Sequence, residues 1–197
     1  MQPETIIFIG PQGSGKGTQI EKLKKVLEVK DHRRVVDIQT GRRFRELAVK
    51  QETFTEHKLA ATLNMGSLQP NFLSTVLWGQ AMVDQLDDTC HLLIDGFPRN
   101  LAQIPDLEDA CVFFERKTIT VVNLETPEEI VRGRMVARSR ADDTSQSIEA
   151  RLLWYKEETL AVLEYYKTRQ NARVIDIDGT QSVDAVHNQI LSALNIS

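Results

Sequence analysis

The stretch with the clearest chemical meaning is rich in glycine and contains one lysine. It reads Gly10-Pro11-Gln12-Gly13-Ser14-Gly15-Lys16-Gly17-Thr18. An apolar run, Thr5–Ile9, precedes it, and a helical pattern with Ile20 and Leu27 on one face follows it. Glycines allow the backbone to wrap closely around an anion, and the N–H groups at a helix start attract phosphate. With Lys16 as a mobile positive charge, the stretch predicts a phosphate-binding loop.

The alternative interpretation of this stretch is a flexible glycine turn with a solvated lysine. The apolar strand before it and the helix after it favour phosphate binding, because such a loop requires that context. One position departs from the generic motif. Gly17 stands where a Ser or Thr would hold Mg²⁺, and Thr18 follows one position later.

The composition is ordinary for a globular protein, with 41% hydrophobic and 26% charged residues in a chain of 197. A net charge of −4 argues against nucleic-acid binding, which usually requires a basic surface. No apolar run reaches the length of a membrane span. The first predicted strand begins so close to Met1 that no signal or transit peptide is expected. We expect one α/β domain, no membrane or nucleic-acid partner, and a cytoplasmic location.

The two cysteines, Cys90 and Cys111, lie in or beside apolar runs. Two cysteines in such positions do not indicate a disulfide framework or a metal cluster. We therefore expect both to be buried free thiols in a reducing compartment.

Five apolar runs alternate with helical patterns along the chain. The predicted strands are Thr5–Ile9, Arg34–Ile38, His91–Asp95, Thr118–Val122 and Arg173–Ile177. This alternation predicts an α/β fold with a parallel sheet covered by helices on both faces, and ligands then collect where the strands end. Residues 43–65 have the pattern of two short helices and predict an insertion.

The second and third strands each lead into a turn that carries arginine. The turns read Thr40-Gly41-Arg42-Arg43-Phe44-Arg45 and, directly after Asp95, Gly96-Phe97-Pro98-Arg99. We interpret Arg42 and Arg43 as solvated charges near a helix start.

A polar stretch between two predicted helices carries many of the remaining arginines. It contains Arg132, Arg134, Arg138, Arg140, Asp142 and Asp143, and Arg151 lies further on. One interpretation is a solvated helical face with ion pairs. The other is a mobile loop that brings arginines to a ligand, and the scarcity of leucine in this stretch favours it.

Four separated motifs, in the same order along the chain, resemble the short-lid adenylate kinases among the nucleoside monophosphate kinases. They are Gly-Lys-Gly-Thr-Gln, Thr-Gly-x-x-x-Arg, Asp-Gly-Phe-Pro-Arg and Arg-x-Asp-Asp. The resemblance covers the whole chain. It implies a P-loop NTPase-type fold with a five-stranded parallel sheet, helices on both faces and two small insertions. It also implies reversible Mg²⁺-dependent transfer of the ATP γ-phosphoryl group to AMP, giving two ADP.

The resemblance also implies roles for individual residues. Those implied for ATP binding are Gly13, Ser14, Gly15, Lys16, Gly17, Thr18, Arg134 and Gln181. Those implied for AMP binding are Thr40, Gly41, Arg45, Leu63, Gly96, Arg99, Gln103, Arg140 and Arg151. Those implied for catalysis are Lys16, Arg99, Arg134, Arg140 and Arg151. Asp95 would hold Mg²⁺ through water, and Asp142 and Asp143 would orient arginines when the lid closes.

By the same resemblance, the chain is a single kinase domain with two insertions. The core comprises residues 1–39, 70–133 and 149–197, the monophosphate-binding insertion residues 40–69, and the short lid residues 134–148. The lid sequence lacks the cysteine-rich zinc site of some relatives, so no structural zinc is expected. The implied partners are ATP, AMP and ADP, and the chain is expected to be a monomer.

Four positions depart from the family pattern, and two of them, Ser67 and Gln69, lie in the loop before the helix predicted to begin near Asn71. Arg42 replaces an acidic residue, and Ile130 stands where an arginine often stacks on the donor adenine. Thr40 together with Gln103 favours AMP as acceptor, because UMP/CMP kinases tend to carry alanine and asparagine there. Two alternatives stay open at this stage, namely a UMP/CMP kinase and a nucleotide-binding regulator that has lost phosphoryl transfer.

Three further expectations concern structure. Thr126 is expected to cap a helix, in a capping box with Glu129. Trp154 is expected in the core, on a long helix from Leu152 to Lys167. Arg132 and Arg138 have no firm counterpart in the family and are expected to be surface charges.

Overall fold

Five parallel strands form the sheet that the alternating pattern predicts. The structure is a computed structural model and describes residues 2–138 and 140–196. Its strands are β1 (Thr5–Ile9), β2 (Val35–Gln39), β3 (His91–Asp95), β4 (Ile119–Glu125) and β5 (Ala172–Asp178). The bounds of β1 and β3 are as predicted, whereas β4 and β5 are longer and β2 begins one residue later.

The strand order is β2-β3-β1-β4-β5, which places β1 at the centre of the sheet. In the register, Phe8 of β1 lies beside Asp95 of β3, and Ile9 lies beside Asn123 of β4. All five residues of β1 are buried, as expected for a central parallel strand covered on both faces. The pairing brings Asp95 next to the start of the glycine-rich loop.

Helices cover both faces of the sheet. They are α1 (Lys16–Asp31), α2 (Thr40–Lys50), α3 (Phe54–Asn64), α4 (Asn71–Gln85), α5 (Ile104–Phe113), α6 (Glu128–Arg138), α7 (Ser145–Trp154), α8 (Leu160–Lys167) and α9 (Val183–Ala193). Because side chains alternate along a strand, Ile6 joins a core with Ile20 and Val186, while Ile7 joins another with Trp78 and Tyr166. The two short helices predicted for residues 43–65 are α2 and α3.

Both cysteines are buried free thiols, as expected. Burial raises the pKa of the Cys111 thiol to about 11, so it remains protonated and unreactive at neutral pH. Within the described part of the chain, none of the helices has the length and apolar character needed to cross a membrane.

The long helix predicted from Leu152 to Lys167 is interrupted. A π-helical turn, Tyr155–Thr159, separates α7 from α8. Tyr166 is buried as expected, but Trp154 is only half-buried and lines the site described below. The prediction of a core Trp154 was wrong because it assumed one continuous helical period, and a π turn changes the direction of the side chains on either side of it.

Among the described residues, Thr126 does not form the predicted capping box. The helix begins at Glu128, so the Pro127 carbonyl accepts the first helical N–H bond, from Val131. Thr126 therefore lies one residue too early to cap the helix, and its buried hydroxyl has no hydrogen-bond partner among the described residues.

A capping box does occur at the start of α3. The Thr53 hydroxyl accepts a bond from the Glu56 N–H at 3.3 Å, and the Glu56 carboxylate accepts one from the Thr53 N–H at 2.9 Å. We expect Thr53→Ala to lower the free energy of unfolding by about 1 kcal/mol, since it leaves a helix N–H without its partner. Chemical denaturation would measure this. Thr55→Ala, on the same helix and exposed, is the control, and an equal loss in both variants would contradict the capping role.

Candidate active site

The glycine-rich loop connects β1 to α1 and requires glycine at its turns. Gly13 has a φ of +90°, and a Cβ there would lie 2.7 Å from the Val131 carbonyl oxygen. Gly15 has a φ of +101° and is the N-cap of α1. L-residues rarely adopt this backbone region, so both positions strongly favour glycine. The N-terminus of α1 thus opens directly onto the loop, where its N–H groups can bind an anion.

Lys16 lies across the loop. Its Nζ donates hydrogen bonds to the carbonyl oxygens of Gly10 at 2.7 Å and Pro11 at 2.9 Å. Burial lowers the pKa of Lys16 to about 8, and the nearby Asp95 carboxylate opposes that shift only in part. A phosphate group would favour the charged form of this lysine more strongly than neutral carbonyl groups do.

A cavity of about 550 Å³ opens between the loop and the ends of β2 and β3. The residues implied for ATP binding that line it are Gly13, Ser14, Gly15, Lys16, Gly17, Thr18, Arg134 and Gln181. Those implied for AMP binding that line it are Gly41, Arg45, Gly96, Arg99 and Arg140, and Asp95 lies with them. A smaller cavity of about 40 Å³ is lined by Arg45, Leu63, Gly66, Arg99, Arg140 and Arg151, among others. The larger cavity is therefore lined by residues from both predicted sets.

Arg99 is held at the wall that the two cavities share. Its Nε donates to the Gly96 carbonyl oxygen at 2.8 Å, and its backbone N–H donates to the Gln103 side-chain oxygen at 2.7 Å. Burial lowers its pKa to about 10, although Asp95 favours the charge. At neutral pH the guanidinium therefore stays charged and can form a bidentate pair with a phosphate.

Two aspartates in the segment predicted to be the lid pair with arginines. Arg151 donates to Asp142 at 2.6 Å and to Asp143 at 2.7 Å. Arg138 donates to both carboxylate oxygens of Asp143, at 2.6 and 3.0 Å. Burial opposes the charge on Asp143, but Arg138 and Arg151 together hold its pKa below the usual value. The predicted orienting role of these two aspartates is consistent with this geometry.

Arg134 extends across the larger cavity to the turn after β5. Its Nη1 donates to the Gly179 carbonyl oxygen at 2.9 Å. Gln181, two residues further on, donates to Asp178 at 3.0 Å. The turn after β5 and helix α6 therefore meet at the cavity that the loop lines.

Two residues implied for AMP binding, Thr40 and Gln103, lie behind the cavity walls. Thr40 is fully buried, and its hydroxyl donates to the Asp95 carbonyl oxygen at 3.0 Å. Gln103 is 2% exposed and uses both ends of its amide, accepting from Arg99 and donating to Asn71 at 2.9 Å. In this conformation both residues support the strand ends, and their predicted contacts with AMP remain predictions.

Arg138 and Trp154 line both cavities, and neither was assigned to the site from the sequence. The expectation that Arg138 is a surface charge was wrong. Arg138 lies one helical turn after Arg134, and residues four apart share a helix face, so this spacing was the available signal. Arg132 pairs with Glu128 and Glu149 at the surface, as expected.

Arg42 and Ile130, two of the departures from the family pattern, are placed differently, because Arg42 lines the larger cavity and Ile130 lines neither cavity. Arg42 pairs with Glu21 of α1, with Nη2 to Oε1 at 3.1 Å, and both side chains are largely exposed. Ile130 is 36% exposed and lies on α6. Arg42 and Glu21 both line the larger cavity, so a carboxylate is present at its mouth although residue 42 is basic.

The parallel sheet, the glycine-rich loop and the arginine-lined cavity define a phosphate-loop nucleotide-binding class of protein. The sequence profile of the family named Adenylate kinase matches residues 8–171. Adenylate kinase 1 of Nostoc sp. is 32% identical over 189 residues, covering 96% of this chain and 97% of the relative. Adenylate kinase of Cyanothece sp. is 36% identical, covering 94% and 92%. Adenylate kinase 1 of Schistosoma mansoni is 32% identical, covering 95% and 90%.

The chain belongs to the adenylate kinase family. The match extends through the loop, both strand-end motifs and the lid, in agreement with the resemblance found from the motifs. The predicted fold class is confirmed as well, since the five-stranded parallel sheet with helices on both faces is present.

The lowered pKa of Lys16 predicts how ATP binding depends on pH. Above pH 8 the free protein loses the Lys16 charge, whereas a bound phosphate chain would retain it, so binding then requires proton uptake. We expect the Kd for ATP to rise roughly tenfold between pH 7 and pH 9 at fixed ionic strength and magnesium concentration. Isothermal titration calorimetry would measure this. Lys16→Arg is the control, because arginine stays charged, and an equal rise in that variant would exclude Lys16 as the cause.

Proposed function

We propose that this protein transfers the γ-phosphoryl group of ATP to AMP, reversibly and with Mg²⁺, giving two ADP. The observation that carries the proposal is the larger cavity, which is lined by the phosphate loop and also by Arg45 and Arg99. Membership of the adenylate kinase family supports the same reaction. Phosphoryl transfer needs alignment and charge stabilisation more than covalent catalysis, and these residues can supply both.

In the proposed mechanism, Lys16 and the loop N–H groups hold the phosphates of ATP. Arg45 and Arg99 hold the phosphate of AMP, which places its oxygen in line with the γ-phosphorus. Arg134 and Arg140 approach from the lid and stabilise the charge that develops during transfer. Lid closure also excludes water, which would otherwise compete as the acceptor. The mechanism requires no general base.

Magnesium fits the site as an ion that arrives with ATP. Asp95 and Glu21 are the carboxylates that line the larger cavity among the described residues. The described part of the chain contains no group of three His, Cys, Asp or Glu side chains arranged to hold a metal. Mg²⁺ usually keeps several waters and binds through one or two carboxylates and the phosphates. Asp95 would therefore contact the ion through water, and the ion would neutralise phosphate charge.

Adenosine nucleotides are the proposed substrates. The relatives reported above carry the name adenylate kinase, which favours AMP over UMP or CMP and favours an active enzyme over a regulator. Arg99 and Lys16 are both present at the cavity, as an active enzyme requires. A monomeric state and a cytoplasmic location remain predictions.

A coupled assay for ADP formation from ATP and Mg²⁺ tests the reaction and its acceptor. We expect the rate with AMP to exceed the rates with UMP, CMP and GMP by at least about tenfold, since acceptor selectivity arises from the fit of the base. Without an acceptor, little ATP should be lost. Preferential use of UMP or CMP would contradict the acceptor assignment, and ATP binding with no transfer to any acceptor would contradict the enzymatic assignment.

Two substitutions test the proposed binding of ATP and the proposed binding of AMP separately. We expect Lys16→Met to reduce kcat by about a thousandfold or more, because one charge at the transferring group is lost. We expect Arg99→Ala to raise the KM for AMP roughly ten- to hundredfold, with a smaller change in the KM for ATP. Steady-state kinetics would measure both.

The matched controls for these two variants are surface residues of the same type. Lys25→Met, on the exposed side of α1, and Arg132→Ala, in a surface ion pair, should retain normal kinetics. Full activity of Lys16→Met would contradict the assignment of the phosphate loop.

A further inference from the structure

Trp154 lies where the two cavities meet, at the end of α7. Its ring faces the guanidinium of Arg99, with the Arg99 Cζ 5.1 Å from the ring centroid. Its indole Nε1 donates to the Gly66 carbonyl oxygen at 3.0 Å. One side chain thus contacts both the acceptor-side arginine and the loop that follows α3.

Arg99 is a half-buried cation whose outer nitrogens must stay available for a phosphate. Its Nε is bonded to the Gly96 carbonyl oxygen. The Nη2 atom lies against glycine backbone, 2.8 Å from where a Cβ at Gly96 would be and 3.4 Å from where one at Gly41 would be. The guanidinium therefore contacts the indole ring of Trp154 and also packs closely against these two glycines.

An aromatic ring suits this position better than a carboxylate. A carboxylate partner would hold the guanidinium through the same N–H groups that a substrate phosphate must bind. A ring attracts the cation through its face and leaves those N–H groups free. At the lid, by contrast, Arg151 has its N–H groups taken by Asp142 and Asp143.

The position of the ring is itself set by the loop after α3. Gly66 has a φ of +72°, and a Cβ there would lie 2.4 Å from the Ser147 carbonyl oxygen of α7. The backbone of residue 66 is therefore in direct contact with the helix that carries Trp154. The indole hydrogen bond to Gly66 holds the ring plane in the orientation that faces Arg99.

We propose that Trp154 is a positioning residue, which holds the Arg99 guanidinium in the orientation that receives the acceptor phosphate. This inference rests on the proposed function of Arg99 in AMP binding. Trp154 acts through Arg99 and not on the transferring group, so its loss should change acceptor binding more than donor binding.

Two substitutions that keep a large apolar side chain at position 154 test the proposal. Trp154→Met removes the ring but retains a large apolar side chain, and Trp154→Phe keeps a ring face but removes the indole N–H. We expect Trp154→Met to raise the KM for AMP roughly three- to thirtyfold, the range of a cation–π contact. The KM for ATP should change less than about twofold, and Trp154→Phe should recover part of the AMP affinity, because it keeps a ring face but loses the hydrogen bond that orients the ring.

Leu153→Ala is the control on the same helix, because Leu153 is exposed and outside the site. Thermal unfolding of each variant would show that it is folded under assay conditions. If Trp154→Met raised the KM for ATP as much as the KM for AMP, or if Trp154→Phe were no better than Trp154→Met, the positioning role would be excluded.

A double-mutant cycle shows whether Trp154 acts through Arg99. In an Arg99→Ala background, Trp154→Met should change the KM for AMP less than about twofold, because the group it positions is gone. If the double variant raised the KM for AMP by the product of the two single increases, the two residues would act independently and the proposal would be overturned. If Arg99→Ala alone raised the KM for AMP and Trp154→Met did not, only the Trp154 inference would fail. If Arg99→Ala had no effect, the assignment of Arg99 to the acceptor would fail first.

Discussion

The concentration of positive charge around one cavity is the constraint on which the rest of the site depends. Burial lowers the pKa of Lys16, Arg45, Arg99 and Arg140. Nearby arginines add to the shift at these groups, since like charges disfavour one another. A cavity of this kind is costly to form without a ligand, and a polyanion such as a nucleotide phosphate chain would remove much of that cost. The arrangement therefore favours phosphate ligands by its electrostatics alone.

The positively charged side chains around the cavity have two kinds of hydrogen-bond partner. Arg138 and Arg151 have fixed carboxylate partners at the lid, in Asp142 and Asp143. Lys16 and Arg99 are instead hydrogen-bonded to neutral carbonyl oxygens. Carbonyl groups hold a cation in place without neutralising it, so these two groups keep their charge for a substrate. Preorganised charge of this kind is what stabilises a transferring phosphoryl group, because it needs no reorganisation during the reaction.

Local sequence signals were sufficient for the fold and for part of the site. The phosphate loop could be predicted because its glycines, Lys16 and the flanking strand and helix are consecutive in the sequence. The family resemblance assigned Arg45 and Arg99 to one ligand, and the topology agrees, because each follows a strand and parallel strands end at the same edge of a sheet. The strand register then brings Asp95 beside the loop. In each case the position depends on backbone periodicity and topology, which sequence patterns reveal.

The remaining site residues depend on packing between distant segments. The direction of Trp154 depends on a π turn and on a bond to Gly66, neither of which leaves a periodic signal. The amide of Gln103 is bonded to Arg99 and Asn71 because the turn after β3 folds against the start of α4. A motif can thus predict that a residue belongs to the site, while its hydrogen-bond partners decide whether it contacts a ligand or supports a residue that does. In this protein Arg99 is enclosed by such supporting contacts, so its orientation is a property of three chain segments and not of its own motif.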